Sequence, residues 1–307
     1  MEPESQSSST INQQGPHGAL FLVLGYLQLP DLLSFQRSCR SLRDAVAGDS
    51  LLWRRIAVDP PLSSRLTDES LSRMASRAEG KMRFLGLFDC TRVTDAGLMN
   101  VVRRNPEITK LHVPGCTNLT ADGVVRAVKW LTEHKGCVES LRIRGLRNIR
   151  IDHLDLLKSL VFKRNVEQVP QQYFYGNWHS LPPNSDDRRL IDVDICPKCT
   201  NIRLVFDCTR ENCRTMKDRW SECRGCFFCI ARCEDCGGCI DSDYIGDETA
   251  CSHLLCLECW LRLPKCNLCN RPYCFGHEKG SFASNSTSGF VCEHCNEETE
   301  ALTNDIN

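Results

Sequence analysis

A chain of 307 residues with 22 cysteines and a formal net charge of −1 has room for two or three domains. Its mixed charges give no global pull toward nucleic acid or an anionic membrane surface, and no run of about 18 apolar residues offers a membrane span. The acidic start Met1-Glu2-Pro3-Glu4-Ser5, and the lack of a basic flank or cleavage site around the apolar run 19–27, argue against a secretory signal. The cysteines are therefore expected as thiolates in a reducing nucleus or cytoplasm rather than as disulfides.

Residues 1–15 are rich in Ser, Gln, Glu and Asn and carry too little apolar surface to order themselves, so they are expected as a disordered leader. Residues 16–58 form a small helical module. Leu20, Leu24 and Leu27 stand at helical spacing, Gln28-Leu29-Pro30-Asp31 breaks the run, and Asp31 can cap a second helix. That helix carries one apolar stripe of Leu32, Phe35, Cys39, Leu42 and Val46. Gly48 closes it, Asp49 or Ser50 caps a third, and Leu51, Leu52, Trp53 and Ile56 supply the apolar face of the last. So short a module cannot bury this many large side chains alone, and its leftover surface is a candidate partner site.

Pro16, Val23-Leu24-x-Tyr26-Leu27, Leu29-Pro30-Asp31-Leu32, Ser38-Cys39-Arg40 and Asp49-x-x-Leu52-Trp53 follow the order and spacing of an F-box, which the module resembles. The resemblance implies binding to a Skp-type adaptor and through it to a cullin. Leu29, Pro30, Leu32, Leu33 and Trp53 match positions that make or support that contact.

Residues 65–163 repeat themselves. Leu85-x-Leu87-x-x-Cys90-x-x-Val93-Thr94-Asp95 returns 26 residues later as Leu111-x-Val113-x-x-Cys116-x-x-Leu119-Thr120, and more weakly as Leu141-x-Ile143-x-x-Leu146. Each L-x-L reads as a strand with alternating faces. Each Thr reads as a cap, with helices over 96–103 and 121–133, so that units stack on a shared core. Cys90 and Cys116 are expected as buried small apolar residues. Arg142, Arg144, Arg147 and Arg150 are expected on a solvated face. The array resembles the cysteine-containing leucine-rich repeats that often follow an F-box.

Residues 164–194 are a linker, with Tyr173, Phe174, Tyr175 and Trp178 too aromatic for a free tether; His179 is expected at the surface. Residues 195–296 hold 18 cysteines, mostly in C-x(2)-C pairs, which bind one metal ion from a tight turn. With His253 and His277 they make 20 ligands, enough for five tetrahedral zinc sites. Spacing suggests a ribbon of Cys196, Cys199, Cys208 and Cys213, and a cross-braced RING of Cys236, Cys239, Cys251, His253, Cys256, Cys259, Cys266 and Cys269. It also suggests a ribbon of Cys274, His277, Cys292 and Cys295. Cys223, Cys226, Cys229 and Cys233 remain, their pairing left open by neighbours that are interchangeable on spacing alone. Residues 297–307 are a tail.

The expected class is thus a multidomain α+β chain of a three-helix F-box, a short α/β leucine-rich repeat array and an irregular zinc-stapled region. Sulfur-rich closed ligand sets point to structural rather than catalytic zinc, and no finger helix or basic face suits nucleic acid. The order of modules resembles a plant group of Skp-interacting F-box proteins, which implies a non-catalytic receptor that brings a protein substrate to ubiquitination. The alternative reading is a RING-type ubiquitin ligase using Cys236–Cys269, with Ile240, Trp260 and Pro264 beside its zinc loops.

Overall fold

The computed structural model describes residues 18–134, 137–162, 172–175, 189–215, 223–240, 249–274, 282–283 and 290–297. The leader, Pro16, Trp178, His179, His277 and all but the first residue of the tail lie outside the described residues. The chain forms two units, Met1–Asn148 with Ser159–Val161, and Ile149–Lys158 with Phe162–Asn307. Among the described residues no helix is long and apolar enough to cross a membrane.

The first unit begins with α1 (Ala19–Val23), a 3-10 turn (Leu24–Tyr26), α2 (Leu29–Ser38), α3 (Arg40–Gly48) and a second 3-10 turn (Ser50–Trp53). Pro30 sits in the first turn of α2, where a missing N–H costs nothing. The cap is thus at Gln28 rather than the expected Asp31, whose carboxylate instead faces the positive end of the helix dipole from within the first turn. The single helix expected across Leu32 and Val46 is two. Cys39 is extended (φ −152°, ψ 167°) and turns the chain so that α2 packs on α3. Asp49 caps the last turn by accepting from the Leu51 N–H at 2.9 Å. Leu24, Leu29, Leu32, Leu42, Val46 and Trp53 are buried, and the Trp53 indole donates to the Val46 carbonyl at 2.9 Å.

Ile56, expected on the third helix, belongs instead to β1 (Arg55–Val58). The strand pairs in parallel with β2 (Phe84–Leu87), which continues into β3 (Lys110–His112) and β4 (Ser140–Arg142) in the order β1-β2-β3-β4. The register aligns Ile56, Leu85, Leu111 and Leu141 in one row. All four are fully buried, as are Val58, Leu87, Val113 and Ile143 two residues on. Alternation along each strand thus sends one apolar row after another into the core. Between strands run α4 (Asp68–Ser76), α5 (Asp95–Arg104) and α6 (Ala121–His134), with α4 on α5 and α5 on α6. The module and the strand–helix stack are joined by more than sequence. The Arg77 guanidinium lies over the Trp53 ring at 4.6 Å and donates to Gln36 Oε1 at 2.8 Å.

Successive helices are stitched by their first turns. Asp68, at the start of α4, accepts from the Thr94 N–H at 2.9 Å and from its hydroxyl at 2.6 Å; Asp95 does the same for Thr120 at the same distances. Each threonine then caps its own helix by accepting from the Gly97 or Gly123 N–H. Cys90 and Cys116 are buried and lean on the Val58 and Leu87 carbonyls at the ends of the preceding strands. In the basic run Arg147 and Arg150 are exposed, while Arg142 and Arg144 are half-buried.

In the second unit regular structure is sparse. Besides α7 (Ile151–Phe162), which the two units share, it has the hairpin of β5 (Asp194–Ile195) and β6 (Ile202–Arg203), and the short α8 (Glu211–Thr215) and α9 (Leu257–Arg262). A further strand pair joins β7 (Phe282–Ala283) to β8 (Phe290–Val291). Its small cores consist largely of cysteines, as where Cys233, Cys256, Cys259 and Cys274 surround Leu255.

The stitches leave no room at their glycines: a Cβ on Gly123 would lie 2.1 Å from Asp95 Oδ1. Gly123→Ala is therefore expected to destabilise the first unit by about 1–3 kcal/mol, the usual cost of overpacking. Gly48→Ala, where nothing lies within 4 Å, should leave stability unchanged or slightly raised. Hydrogen exchange of the β2 and β3 amides in urea reads both.

Candidate metal centres and an exposed apolar face

Among the described residues, four groups of four sulfurs could each hold a metal ion, with ligand atoms all within 4.8 Å of one another. They are Cys196, Cys199, Cys226 and Cys229; Cys208, Cys213, Cys223 and Cys239; Cys233, Cys236, Cys256 and Cys259; and Cys266, Cys269, Cys292 and Cys295. A fifth group joins Cys251, His253 and Cys274. Sulfurs from different pairs approach at 3.9 Å (Cys199 and Cys226), 3.8 Å (Cys213 and Cys239) and 3.7 Å (Cys236 and Cys256, and again Cys269 and Cys292). A tetrahedron with metal–sulfur bonds of about 2.3 Å has edges of about 3.8 Å. A disulfide would need about 2 Å. None of the 22 cysteines is in a disulfide. The donor sets therefore fit a tetrahedral, thiophilic ion, and zinc is consistent with them.

Backbone amides turn toward the sulfurs, both from one pair to another and within C-x(2)-C turns. The Cys226 N–H donates to Cys196 Sγ, Cys239 to Cys208, and Cys292 to Cys266, each at 3.3 Å. Gly238 and Leu268 donate to Cys236 and Cys266 at 3.5 and 3.4 Å. Burial opposes the Cys196 thiolate, yet the Cys226, Cys199 and Lys198 amides bring its pKa down to about 6. Cys266 likewise reaches about 6 against burial. Hydrogen bonds from Cys239 and Cys236 bring Cys208 to about 4 and Cys233 to about 5. Their neighbours move the other way. Cys223 rises to about 11 through burial and the Cys208 charge, Cys229 to about 12 through its bond with Cys199, and Cys236 and Cys239 rise further as partners of the low thiols. One thiolate thus suppresses ionisation of the rest, and only a bound cation lets four coexist.

The pairs expected from spacing are present, but they meet different partners. The ribbon of Cys196, Cys199, Cys208 and Cys213 is divided between the first two groups, which Cys226 with Cys229 and Cys223 with Cys239 complete; Cys233, the last of the four left open by spacing, joins Cys236 in the third. The ribbon of Cys274, Cys292 and Cys295 is divided as well, and the cross-brace over Cys236–Cys269 does not form. Cys239 leaves Cys236 for Cys208, while Cys266 and Cys269 meet Cys292 and Cys295 rather than Cys251 and His253. Spacing reports which two sulfurs share a turn; which turns meet is set by contacts distant in sequence. The groups interleave, each spanning part of the next along the chain. Of the side chains expected beside RING loops, Ile240 and Trp260 are half-buried against the Cys233–Leu255 core, and Pro264 is exposed.

Part of the linker straps this region. Tyr175 is buried, its hydroxyl bonded to Glu234 and its ring edge-on to Phe206 at 5.2 Å. Its carbonyl passes so close to Gly237 (φ 72°) that a Cβ there would sit 1.9 Å away. Tyr173 and Asp207 exchange backbone and carboxylate bonds, and Arg224 holds Asp207 at 2.8 Å.

In the first unit the module leaves apolar surface uncovered in its first helix and its two 3-10 turns. Leu22, Tyr26 and Leu51 are 77%, 89% and 59% exposed, with Phe21 and Val23 beside them. Of the residues singled out from sequence, Pro30 is exposed and Leu33 half-buried, whereas Leu29, Leu32 and Trp53 are buried within the module. Those three shape the face rather than form it.

A family model described as F-box-like matches residues 16–59, and one described as the At3g27290 F-box protein C-terminal domain matches residues 192–268. F-box protein SKIP28 of Arabidopsis thaliana is 38% identical over 304 residues, covering 96% of this chain and 95% of its own length. F-box protein SKIP14 from the same plant is 39% identical over 255 residues, covering 82% of this chain; the chain spans just over half, 56%, of that relative. F-box protein At3g27290 is 36% identical over 252 residues, or 79% of this chain and 65% of its own.

The observed pairing and the spacing-derived ribbon predict different metal losses. A Cys196→Ser/Cys226→Ser double variant is expected to lose one ion by native mass spectrometry, and Cys196→Ser/Cys208→Ser two. The ribbon grouping predicts the reverse.

Proposed function

As this chain belongs to the F-box protein family, we propose that it is the substrate receptor of an SCF-type ubiquitin ligase. The module over 16–58 docks on a Skp-type adaptor, which links it to a cullin. The strand–helix stack, read as a short leucine-rich repeat array, and the cysteine-rich region hold a protein substrate. The observation that carries this reading is the apolar surface of Leu22, Tyr26 and Leu51, left uncovered with Phe21 and Val23 by a module in which Leu24, Leu29, Leu32, Leu42, Val46 and Trp53 are packed. The chain itself makes no bond. Its contribution is proximity and orientation of the substrate to the conjugating enzyme.

The five ligand groups are proposed to hold structural zinc. Bound zinc supplies fixed, redox-silent tetrahedral cross-links that stand in for an apolar core. A reducing nuclear or cytoplasmic setting suits free thiols.

Leu22→Asp with Tyr26→Ala is expected to weaken adaptor binding by about 2 kcal/mol or more, as for central interface anchors, with the hydrogen-exchange protection of the module unchanged. Leu32→Asp should lose binding and protection together. Isothermal titration with purified adaptor decides this; wild-type affinity in the double variant would remove the adaptor reading. With conjugating enzyme and ubiquitin but no cullin complex, the purified chain is expected to form no ubiquitin chains. Chains abolished by Cys236→Ser would make it a ligase in its own right.

A further inference from the structure

Arg232 is fully buried, which is rare for an arginine that lacks a carboxylate partner. Its Nη2 donates to the Phe206 carbonyl at 2.8 Å and to the Cys223 carbonyl at 2.7 Å. Its Nε and Nη1 are buried without a hydrogen-bond partner among the described residues. The nearby buried carboxylate of Asp207 is taken by Arg224. A guanidinium stays charged at any pH the protein meets, so neutralisation by proton loss is not open to it. Two carbonyl dipoles do not balance a buried charge, and a charge is kept in such a place only when an opposite charge lies close.

The surroundings of Arg232 supply one source. Cys223, whose carbonyl it binds, is a member of the Cys208, Cys213, Cys223 and Cys239 group. The Arg232 backbone pairs with that of Cys239, another member of the group. Phe206, its other partner, stands two residues before Cys208. Three of the four ligands of one centre are therefore tied to the backbone or side chain of Arg232 or to its immediate partners. Four thiolates around a divalent ion carry a net charge of −2, and that charge is itself half-buried and in need of a counter-ion. The neighbouring Cys233 group has another cation at hand, since Arg262, paired with Asp235, reaches Cys259 Sγ at 3.7 Å.

We propose that Arg232 is the internal counter-cation of the Cys208–Cys213–Cys223–Cys239 metal centre, raising that centre's hold on its ion by balancing the thiolate charge. The inference rests on the metal-binding reading above. Arg232 acts on the ion through charge and needs no bond to it, in the way that partners outside the ligand set commonly tune affinity by roughly 10–100-fold. Arginine suits the role better than lysine because it tolerates desolvation while keeping its charge. Lysine should still serve in part.

The test uses the full-length zinc-loaded chain, challenged with a chromogenic chelator. Pulse alkylation and mass spectrometry then identify which cysteines have been freed. In Arg232→Met, one ion is expected to leave about 10–100-fold more readily than in wild type, with Cys208, Cys213, Cys223 and Cys239 alkylated first. The Cys266 group should stay protected as the internal control. Arg232→Lys should stay within a few-fold of wild type. Equal retention in Arg232→Met and wild type overturns the proposal. So does an Arg232→Lys that loses the ion as readily as Arg232→Met, because the carbonyl bonds and not the charge would then matter. If Arg232→Met does not fold, Arg232→Gln, which keeps hydrogen-bond donors without the charge, takes its place in the same comparisons. A wild-type chain that holds no zinc would instead overturn the metal reading itself.

Discussion

The second unit depends on one electrostatic constraint. Its small cores are made largely of thiols, and in each four-sulfur group all ligand atoms lie within 4.8 Å of one another. Without a cation, one thiolate pushes its neighbours toward the neutral form, as the opposed shifts of Cys208 and Cys223 record. With a divalent ion the repulsion becomes attraction, and the same sulfurs turn into cross-links. Folding and metal binding are then a single equilibrium. The short strands and helices of this unit follow from it, because turns need only present sulfur pairs, and they need not bury large apolar faces.

The first unit solves the opposite problem with apolar rows. Ile56, Leu85, Leu111 and Leu141 line up across four parallel strands, and the carboxylates of Asp68 and Asp95 fasten each helix start to the next. Its free apolar surface is confined to the helical module, where Leu22 and Tyr26 project. An interaction face built on so rigid a support keeps its shape, so little ordering cost is added on binding.

Local patterns in the sequence were reliable where one turn or one strand decides the outcome. The 26-residue recurrence located β2, β3 and the caps at Thr94 and Thr120, and the C-x(2)-C spacing located the sulfur pairs. Outcomes set by distant contacts were hidden. Leu51, Leu52, Trp53 and Ile56 fit a helix as well as a turn followed by β1, and only pairing with β2 makes Arg55–Val58 a strand. The stripe of Leu32, Phe35, Cys39, Leu42 and Val46 keeps helical spacing straight through the break at Cys39, which no Gly or Pro announces. Spacing could not say that Cys199 meets Cys226, or that Leu22 rather than Leu29 stays uncovered.

The interleaving of the ligand groups reaches beyond folding. The spans 196–229, 208–239, 233–259, 251–274 and 266–295 overlap without a gap. A peptide bond cut anywhere between Cys196 and Cys295 therefore lies inside the span of at least one ligand group. With ions in these groups, a proteolytic nick there would leave two fragments still clasped, as a broken link is held by its neighbours in chain mail. Release of the nicked fragments would then require stripping of metal, and chelation and turnover of the chain would be bound together.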